Sequence, residues 1–214
     1  MYSDKNYTKQ NIMIQQQFKG LSLTRTKVRN QIIRFYENET TDADKFDWYA
    51  DAKSFAVNLS TEFDVPANVV CGLIAALSPV KQWNQNKNCV LSLLLGNGGK
   101  HMKQFVDKAQ RILELDDATD TTILDVLNGR KISAFYLNIM HPNRDEVVTI
   151  DRHALSIALG HWVTDEEYSG MTAKQYAFFV ECYQLAAKKL NINGLLLQSS
   201  TWVAWRKKTD KKRK

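Results

Sequence analysis

The chain has 214 residues, of which 44% are hydrophobic, and its five Trp, eight Tyr and nine Phe supply enough apolar surface for a packed core. No apolar run reaches the roughly 20 residues of a membrane span, and the N-terminus has no signal-peptide core, so we expect a cytoplasmic protein that does not bind membranes. The last nine residues hold seven basic side chains and one acid, which accounts for the whole net charge of +6 and leaves residues 1–205 formally neutral.

The cysteine pattern argues against bound metal. Cys71, Cys89 and Cys182 are few and widely separated, which is typical of free thiols in an intracellular protein. Without closely spaced cysteines we expect neither a structural zinc nor an iron–sulfur cluster, and no other cofactor.

The order of elements predicts an all-α protein of about nine or ten helices. Residues 1–20 are polar and aperiodic and are expected to form a flexible arm, whereas residues 21–205 show helical spacing throughout and form one domain. Residues 206–214 are expected to be a disordered basic tail, which would either meet polyanions or only improve solubility. The predicted helices cover residues 24–37, 44–63, 67–77, 82–95, 100–115, 123–127, 131–139, a segment after Asp151, 172–190 and 195–205, with a loop over 161–170.

Two charged residues stand at helix starts in the middle of the chain. Residues 123–127 form a short amphipathic helix, Asn128 and Gly129 favour a tight turn, and Lys131 opens the next helix. Asp151 follows the buried-looking run 147–150 and precedes a helical period. At that position a carboxylate can accept hydrogen bonds from free backbone N–H groups.

These two segments resemble the helix-hairpin-helix DNA glycosylase superfamily, the group that includes endonuclease III. The chain reads Leu-Asn-Gly-Arg-Lys-Ile-Ser-Ala at 127–134 and Thr-Ile-Asp-Arg-His-Ala at 149–154. The family reads roughly Leu-Pro-Gly-Val-Gly-Arg-Lys-Thr-Ala and then Val-Asp-Thr-His-Val. The resemblance implies that Lys131 is the nucleophilic lysine and Asp151 the catalytic aspartate. The hairpin here keeps a single glycine, Gly129.

A second segment strengthens the resemblance. Residues 73–86 read Leu-Ile-Ala-Ala-Leu-Ser-Pro-Val-Lys-Gln-Trp-Asn-Gln-Asn, similar to the family's buried helix ending in Leu-Leu-Ser-Ala-Gln, whose loop carries a residue that wedges into the duplex. The resemblance covers about residues 69–160. It implies a fold of two small lobes with a cleft between them. The Ser-Pro, Trp and Asn residues, with a Gln/Trp-rich last helix, also resemble a class of small phage-encoded proteins.

The resemblance implies base excision from duplex DNA. Asp151 would stabilise the positive charge that develops on the sugar, and Lys131 would attack C1′ and allow strand cleavage. The base must first leave the stack and enter a pocket with aromatic walls. We expect a monomer that binds DNA in a salt-dependent way. The expected DNA contacts are Gln82, Asn84, Asn86, Gly129, Arg130, Arg152 and Arg206, and the expected base pocket contains Trp83, Gln198 and Trp202.

Simpler interpretations remain open for the same residues. Asp151 could be only an N-cap, Lys131 a solvated lysine and His153 a histidine with a structural partner. The protein would then be a non-catalytic nucleic-acid-binding or partner-binding protein on the same helical fold. A metal-dependent nuclease is a third reading, but the carboxylates nearest to Asp151, Asp145 and Glu146, lie in a polar loop.

Overall fold

The computed structural model describes residues 23–144 and 146–211, without the side chains of Asp210 and Lys211. Every regular element in these ranges is helical, with eleven α-helices and one 3-10 turn, which confirms the all-α prediction. The predicted N-terminal arm, residues 1–20, lies outside the described residues, as do residues 212–214 of the predicted tail.

The helices follow one another through short connections. They are α1 (Arg25–Glu39), the 3-10 turn (Asp42–Asp44), α2 (Trp48–Phe63), α3 (Ala67–Ala76), α4 (Trp83–Leu94), α5 (Lys103–Leu113), α6 (Asp120–Leu127), α7 (Arg130–Met140), α8 (Arg152–Leu159), α9 (Asp165–Ser169), α10 (Ala173–Leu190) and α11 (Gly194–Lys211).

Two predictions about where helices lie are wrong. The helix expected from residue 44 begins only at Trp48, because Asp47 accepts a hydrogen bond from the Ala50 N–H at 3.0 Å and caps the helix there. The loop expected over 161–170 contains the short helix α9. A capping box produces it, in which the Thr164 N–H donates to Glu167 Oε2 at 2.8 Å.

The last helix is longer than predicted. It was expected to end at Trp205 with disordered residues beyond, but α11 continues as a helix to Lys211. Two ion pairs hold the added turns against the end of α1 and the 3-10 turn. Lys208 Nζ lies 2.7 Å from Glu39 Oε1, and Lys207 pairs with the buried carboxylate of Asp44. Because those acids come from distant positions, local charge patterning did not reveal the helix.

The chain divides into two compact units. We call residues 47–149 the central unit, and the described parts of residues 1–46 and 150–214 the terminal unit. The sequence prediction did not include these boundaries.

Helix α3 is the centre of the central unit. It packs against α2, α4, α5, α6 and α7, and residues 69–77 are all nearly inaccessible to solvent. This agrees with its sequence, which is apolar all round. Gly72 lets α5 and α6 approach closely, because a Cβ atom there would lie 3.0 Å from methyl groups of both Ile112 and Ile123.

A large side chain at Gly72 should therefore destabilise the protein. We expect Gly72→Leu to lower the free energy of unfolding by about 3 kcal/mol, the upper end of the usual cost of overpacking. Urea denaturation followed by circular dichroism measures this. Gln104→Leu on the exposed side of α5 is the control and should change stability by no more than about 0.5 kcal/mol. A value for Gly72→Leu as small as the control would contradict the close approach.

In the terminal unit α1, α8, α10 and α11 pack on one another. Tyr183 of α10 is fully buried, and its hydroxyl donates to the Ala154 carbonyl of α8 at 3.0 Å. The buried run 147–150 is not a strand. Its last residue, Ile150, instead bonds to two tyrosines: its N–H donates to Tyr176 Oη at 3.0 Å, and its carbonyl accepts from Tyr168 Oη at 2.8 Å. These bonds fix the chain immediately before Asp151.

Candidate functional site

Asp151 is held in place at both of its carboxylate oxygens. It is the N-cap of α8, where Oδ1 accepts the Ala154 N–H at 2.7 Å, as its position in the sequence predicted. Its Oδ2 accepts the indole N–H of Trp202 in α11 at 2.9 Å. The first bond is a helix cap, but the second joins residues 51 positions apart in the chain. Each oxygen keeps a lone pair for another partner.

Cationic and aromatic side chains are linked to Asp151 through its partner Trp202 and through its chain neighbour Arg152. The guanidinium of Arg152 lies 4.8 Å from the centre of the Trp162 ring and pairs with Asp165 at 2.8 Å. The guanidinium of Arg206 lies 5.8 Å from the Trp202 ring. We call Asp151, Arg152, His153, Trp162, Trp202 and Arg206 together the Asp151 cluster.

His153 lies between the two indoles of the cluster. Its ring centre is 5.8 Å from that of Trp162 and 6.3 Å from that of Trp202. Its Nε2 is 3.3 Å from a guanidinium nitrogen of Arg206, and since arginine can only donate, this contact needs Nε2 as an acceptor. The predicted structural partner of His153 is therefore present, and it belongs to the same cluster as Asp151.

The cluster combines groups that suit nucleic acid. Trp162 is 38% exposed, and the other five members are partly exposed. Indole faces stack on bases and guanidinium groups bind phosphates, while a fixed carboxylate can stabilise positive charge. The cluster brings together four of the predicted site residues, namely Asp151, Arg152, Trp202 and Arg206.

Lys131 lies in the central unit, in the helix–turn–helix formed by α6 and α7. Asn128 adopts a left-handed conformation with φ of 41° and ends α6, and Gly129 is the extended N-cap of α7. This confirms the predicted arrangement of a helix, a tight turn at Asn128 and Gly129, and a second helix. Gly129 and Arg130 are exposed, while Lys131 is half-buried in the first turn of α7, where its ammonium has no hydrogen bond or ion pair to the described residues.

The predicted DNA contacts on α4 divide into two kinds. Gln82 and Asn84 are exposed at the start of the helix. Asn86 is only 2% exposed, and its amide donates to the Ile74 carbonyl at 3.1 Å, tying α4 to α3. The prediction of Asn86 as a DNA contact is therefore wrong, because the residue uses its polar group inside the central unit. Helical spacing could have indicated this, since Asn86 lies three and four positions before the buried Cys89 and Val90.

The three predicted base-pocket residues have different environments. Trp83 belongs to an aromatic group in the central unit, with ring centres 4.9 Å from Trp48 and 5.7 Å from Phe55. Gln198 is in α11 and is only 4% exposed. Trp202 is the one that contacts Asp151.

Comparison with known proteins gives a family for the chain. Residues 14–209 match DUF7178, described as a family of unknown function. The chain belongs to the DUF7178 family. No curated protein and no solved structure matches it.

Two absences can be stated for the described part of this DUF7178 protein. None of its described helices is long and apolar enough to cross a bilayer. No group of three His, Cys, Asp or Glu side chains within residues 23–144 and 146–211 could hold a metal ion.

The DUF7178 chain also contains a polar group that the sequence analysis missed. In the central unit the buried Tyr136 hydroxyl donates to Asp120 Oδ1, and His141 Nε2 lies 2.7 Å from Asp120 Oδ2. Asp120 begins α6, and the other two residues are in or just after α7, so the group closes the hairpin on the side away from its turn. No sequence motif marks it, because the residues are 16 and 21 positions apart.

Protonation of Asp120 should weaken the central unit at low pH. Burial by itself would raise the pKa of Asp120, but the hydrogen bonds from Tyr136 and His141 outweigh it and place the pKa below the ordinary 3.8. A pKa lowered by folding stabilises the protein above about pH 4, and that stability is lost as the pH falls through the folded-state value. Because the side chain of Asp120 is 38% exposed, we expect its ionisation to contribute only about 0.5 kcal/mol to the free energy of unfolding.

The check is urea denaturation at pH 7 and pH 3. Asp120→Asn should be less stable than wild type at pH 7, and the difference should shrink at pH 3. Asp125→Asn, an exposed acid on the same helix, should follow wild type at both values. If the difference in stability between Asp120→Asn and wild type is the same at both pH values, the charge of Asp120 does not contribute to stability.

Proposed function

We propose that this protein is a DNA glycosylase with AP-lyase activity, which removes a modified or damaged base flipped from duplex DNA. The observation that carries the proposal is the fixed carboxylate of Asp151, held by one N–H of α8 and one of α11. Cleavage of the bond between C1′ and the base leaves positive charge on the sugar. A carboxylate that is already oriented stabilises that charge without having to reorganise.

The neighbours of Asp151 support a DNA substrate. Trp162 and Trp202 offer aromatic surface to a base outside the helical stack, and Arg206 offers positive charge to the flanking phosphates, whereas the charge of Arg152 is paired with Asp165. The Asp151 cluster thus contains groups that suit the base and the phosphates of the nucleotide whose bond between C1′ and the base would break.

Lys131 supports the lyase step through its chemistry. As a neutral amine it would attack C1′ of the sugar and form a Schiff base with loss of water, and β-elimination would then break the strand on the 3′ side. Its half-buried position at the start of α7 and the absence of an acidic partner among the described residues leave the amine available.

A second function is favoured by a different observation. Two arginine–tryptophan pairs, Arg152 with Trp162 and Arg206 with Trp202, would hold a nucleic-acid strand without any chemistry. In that case Asp151 would serve only to position Trp202 and cap α8, and the protein would be a nucleic-acid-binding protein.

Base release distinguishes the two functions. Full-length protein is incubated with duplexes that each carry one modified base, such as uracil, hypoxanthine, 8-oxoguanine, 3-methyladenine or an oxidised pyrimidine, and the free base is measured by chromatography. The glycosylase proposal expects release from at least one duplex. Binding to all of them, weakening steeply with salt and without any release, would support the binding function and contradict the enzyme.

A further inference from the structure

A groove of about 310 Å³ opens on the surface of the terminal unit, between α1 and the last turns of α11. Its lining includes Arg34, Phe35 and Glu39 from α1, and Trp205 and Lys208 from α11. The volume is at the lower end of the range for small-ligand sites, which suits one nucleotide better than a larger ligand. None of the residues of the Asp151 cluster lines it.

The charges of the groove favour a singly charged anion. Lys208 Nζ lies 2.7 Å from Glu39 Oε1, so these two charges largely cancel. Arg34 donates to the side-chain oxygen of Gln31 but has no acidic partner among the described residues. Its guanidinium is exposed, which leaves a net charge of about one positive unit for a ligand to neutralise. A phosphodiester carries one negative charge.

Trp205 adds a hydrogen-bond donor that no described residue satisfies. Its indole Nε1 is buried and has no acceptor within the described part of the chain. A buried N–H without a partner costs about 1–3 kcal/mol, so a shift of the indole that brought this N–H to the surface of the groove would let a bound acceptor recover that energy. The side chains of Arg34, Lys208 and Trp205 can only donate, so a ligand that binds them must supply acceptors, as phosphate and sugar oxygens do.

Trp205 also connects the groove to the Asp151 cluster. Its ring lies nearly parallel to that of Trp162, with an interplanar angle of 15° and a centroid distance of 6.4 Å. Trp205 also packs against Phe35, which is buried in the core. Trp205 therefore both contacts Trp162 of the Asp151 cluster and lines the groove.

We propose that this groove binds one nucleotide of a single strand, with its phosphodiester against Arg34 and Lys208 and an acceptor on the indole N–H of Trp205. The inference rests on the nucleic-acid binding that both proposed functions share, and not on catalysis. A free mononucleotide has the same phosphate chemistry and is the other possible source of the ligand.

Binding of a fluorescein-labelled ten-residue oligothymidylate tests the groove by anisotropy at several salt concentrations. Arg34→Ala in the full chain should weaken binding about tenfold and reduce the slope of log K against log salt by about 0.7, the value for one phosphate contact on a single strand. Trp205→Phe should weaken binding without changing the slope. Lys174→Ala, which removes an exposed charge on α10, is the matched control and should do neither.

A second arm measures dTMP by isothermal titration. If dTMP binds wild type and Arg34→Ala weakens it, the groove takes free nucleotides; if only the oligonucleotide responds to Arg34, it takes a strand. If Arg34→Ala behaves as Lys174→Ala does toward both probes, the groove proposal is overturned. Base release is measured on wild-type protein alone, so a failure of the groove proposal and a failure of the enzyme proposal give different results.

Discussion

Lys131→Ala should abolish covalent trapping on DNA. With a duplex that carries an abasic site and sodium borohydride, wild-type protein should form a stable cross-link, because hydride reduces the Schiff base between the lysine Nζ and C1′ to an amine. Alanine has no amine, so no such bond forms. The measurement is a denaturing gel of the labelled strand.

A matched control separates the loss of this amine from a general loss of positive charge. Lys103→Ala removes an exposed lysine from α5, in the same unit as Lys131, and should trap as wild type does. Equal cross-linking by Lys131→Ala and wild type would show that another amine attacks, and Lys131 would then be only a solvated or DNA-contacting lysine.

Asp151→Asn should slow base release by about 10²–10³-fold, which is the usual loss when one preorganised electrostatic group is removed from an active site. Asparagine is nearly as good an N-cap as aspartate, so α8 should stay folded and the free energy of unfolding should change by less than about 1 kcal/mol. Single-turnover release from the duplex identified as substrate gives the rate, and urea denaturation gives the stability.

Trp202→Phe is the companion variant. It keeps an aromatic ring but removes the N–H that donates to Asp151, so the carboxylate retains only its cap bond from the Ala154 N–H. We expect a smaller reduction than for Asp151→Asn, because the charge remains and only its orientation is loosened. If Asp151→Asn releases base at the wild-type rate, the carboxylate is structural, and unchanged DNA affinity in both variants would leave the strand-binding function.

Helix periodicity and capping were readable from the sequence because they depend on residues within one or two turns of each other. Asp151 is the N-cap of α8, Asn128 ends α6, and α3 is buried on all sides, each as its local pattern predicts. The same local rules missed α9, since its five residues have no apolar face to show a period.

The surroundings of these elements depend on residues far apart in the chain. The resemblance to DNA glycosylases placed Asn86 on DNA, but packing of α4 on α3 buries it against the Ile74 carbonyl. The basic residues at the end of the chain predicted a disordered tail, but ion pairs of Lys207 with Asp44 and of Lys208 with Glu39 hold part of this segment as a helix.

By itself, the sequence determined an all-helical chain with Lys131 and Asp151 at helix starts, because helix propensity and capping act over a few neighbouring residues. Only the tertiary structure decided that the second oxygen of Asp151 meets the indole of Trp202, and that His153 contacts Trp162, Trp202 and Arg206. Those contacts arise from the packing of α8 on α11, where side chains about fifty positions apart meet only because the apolar faces of the two helices must be buried together.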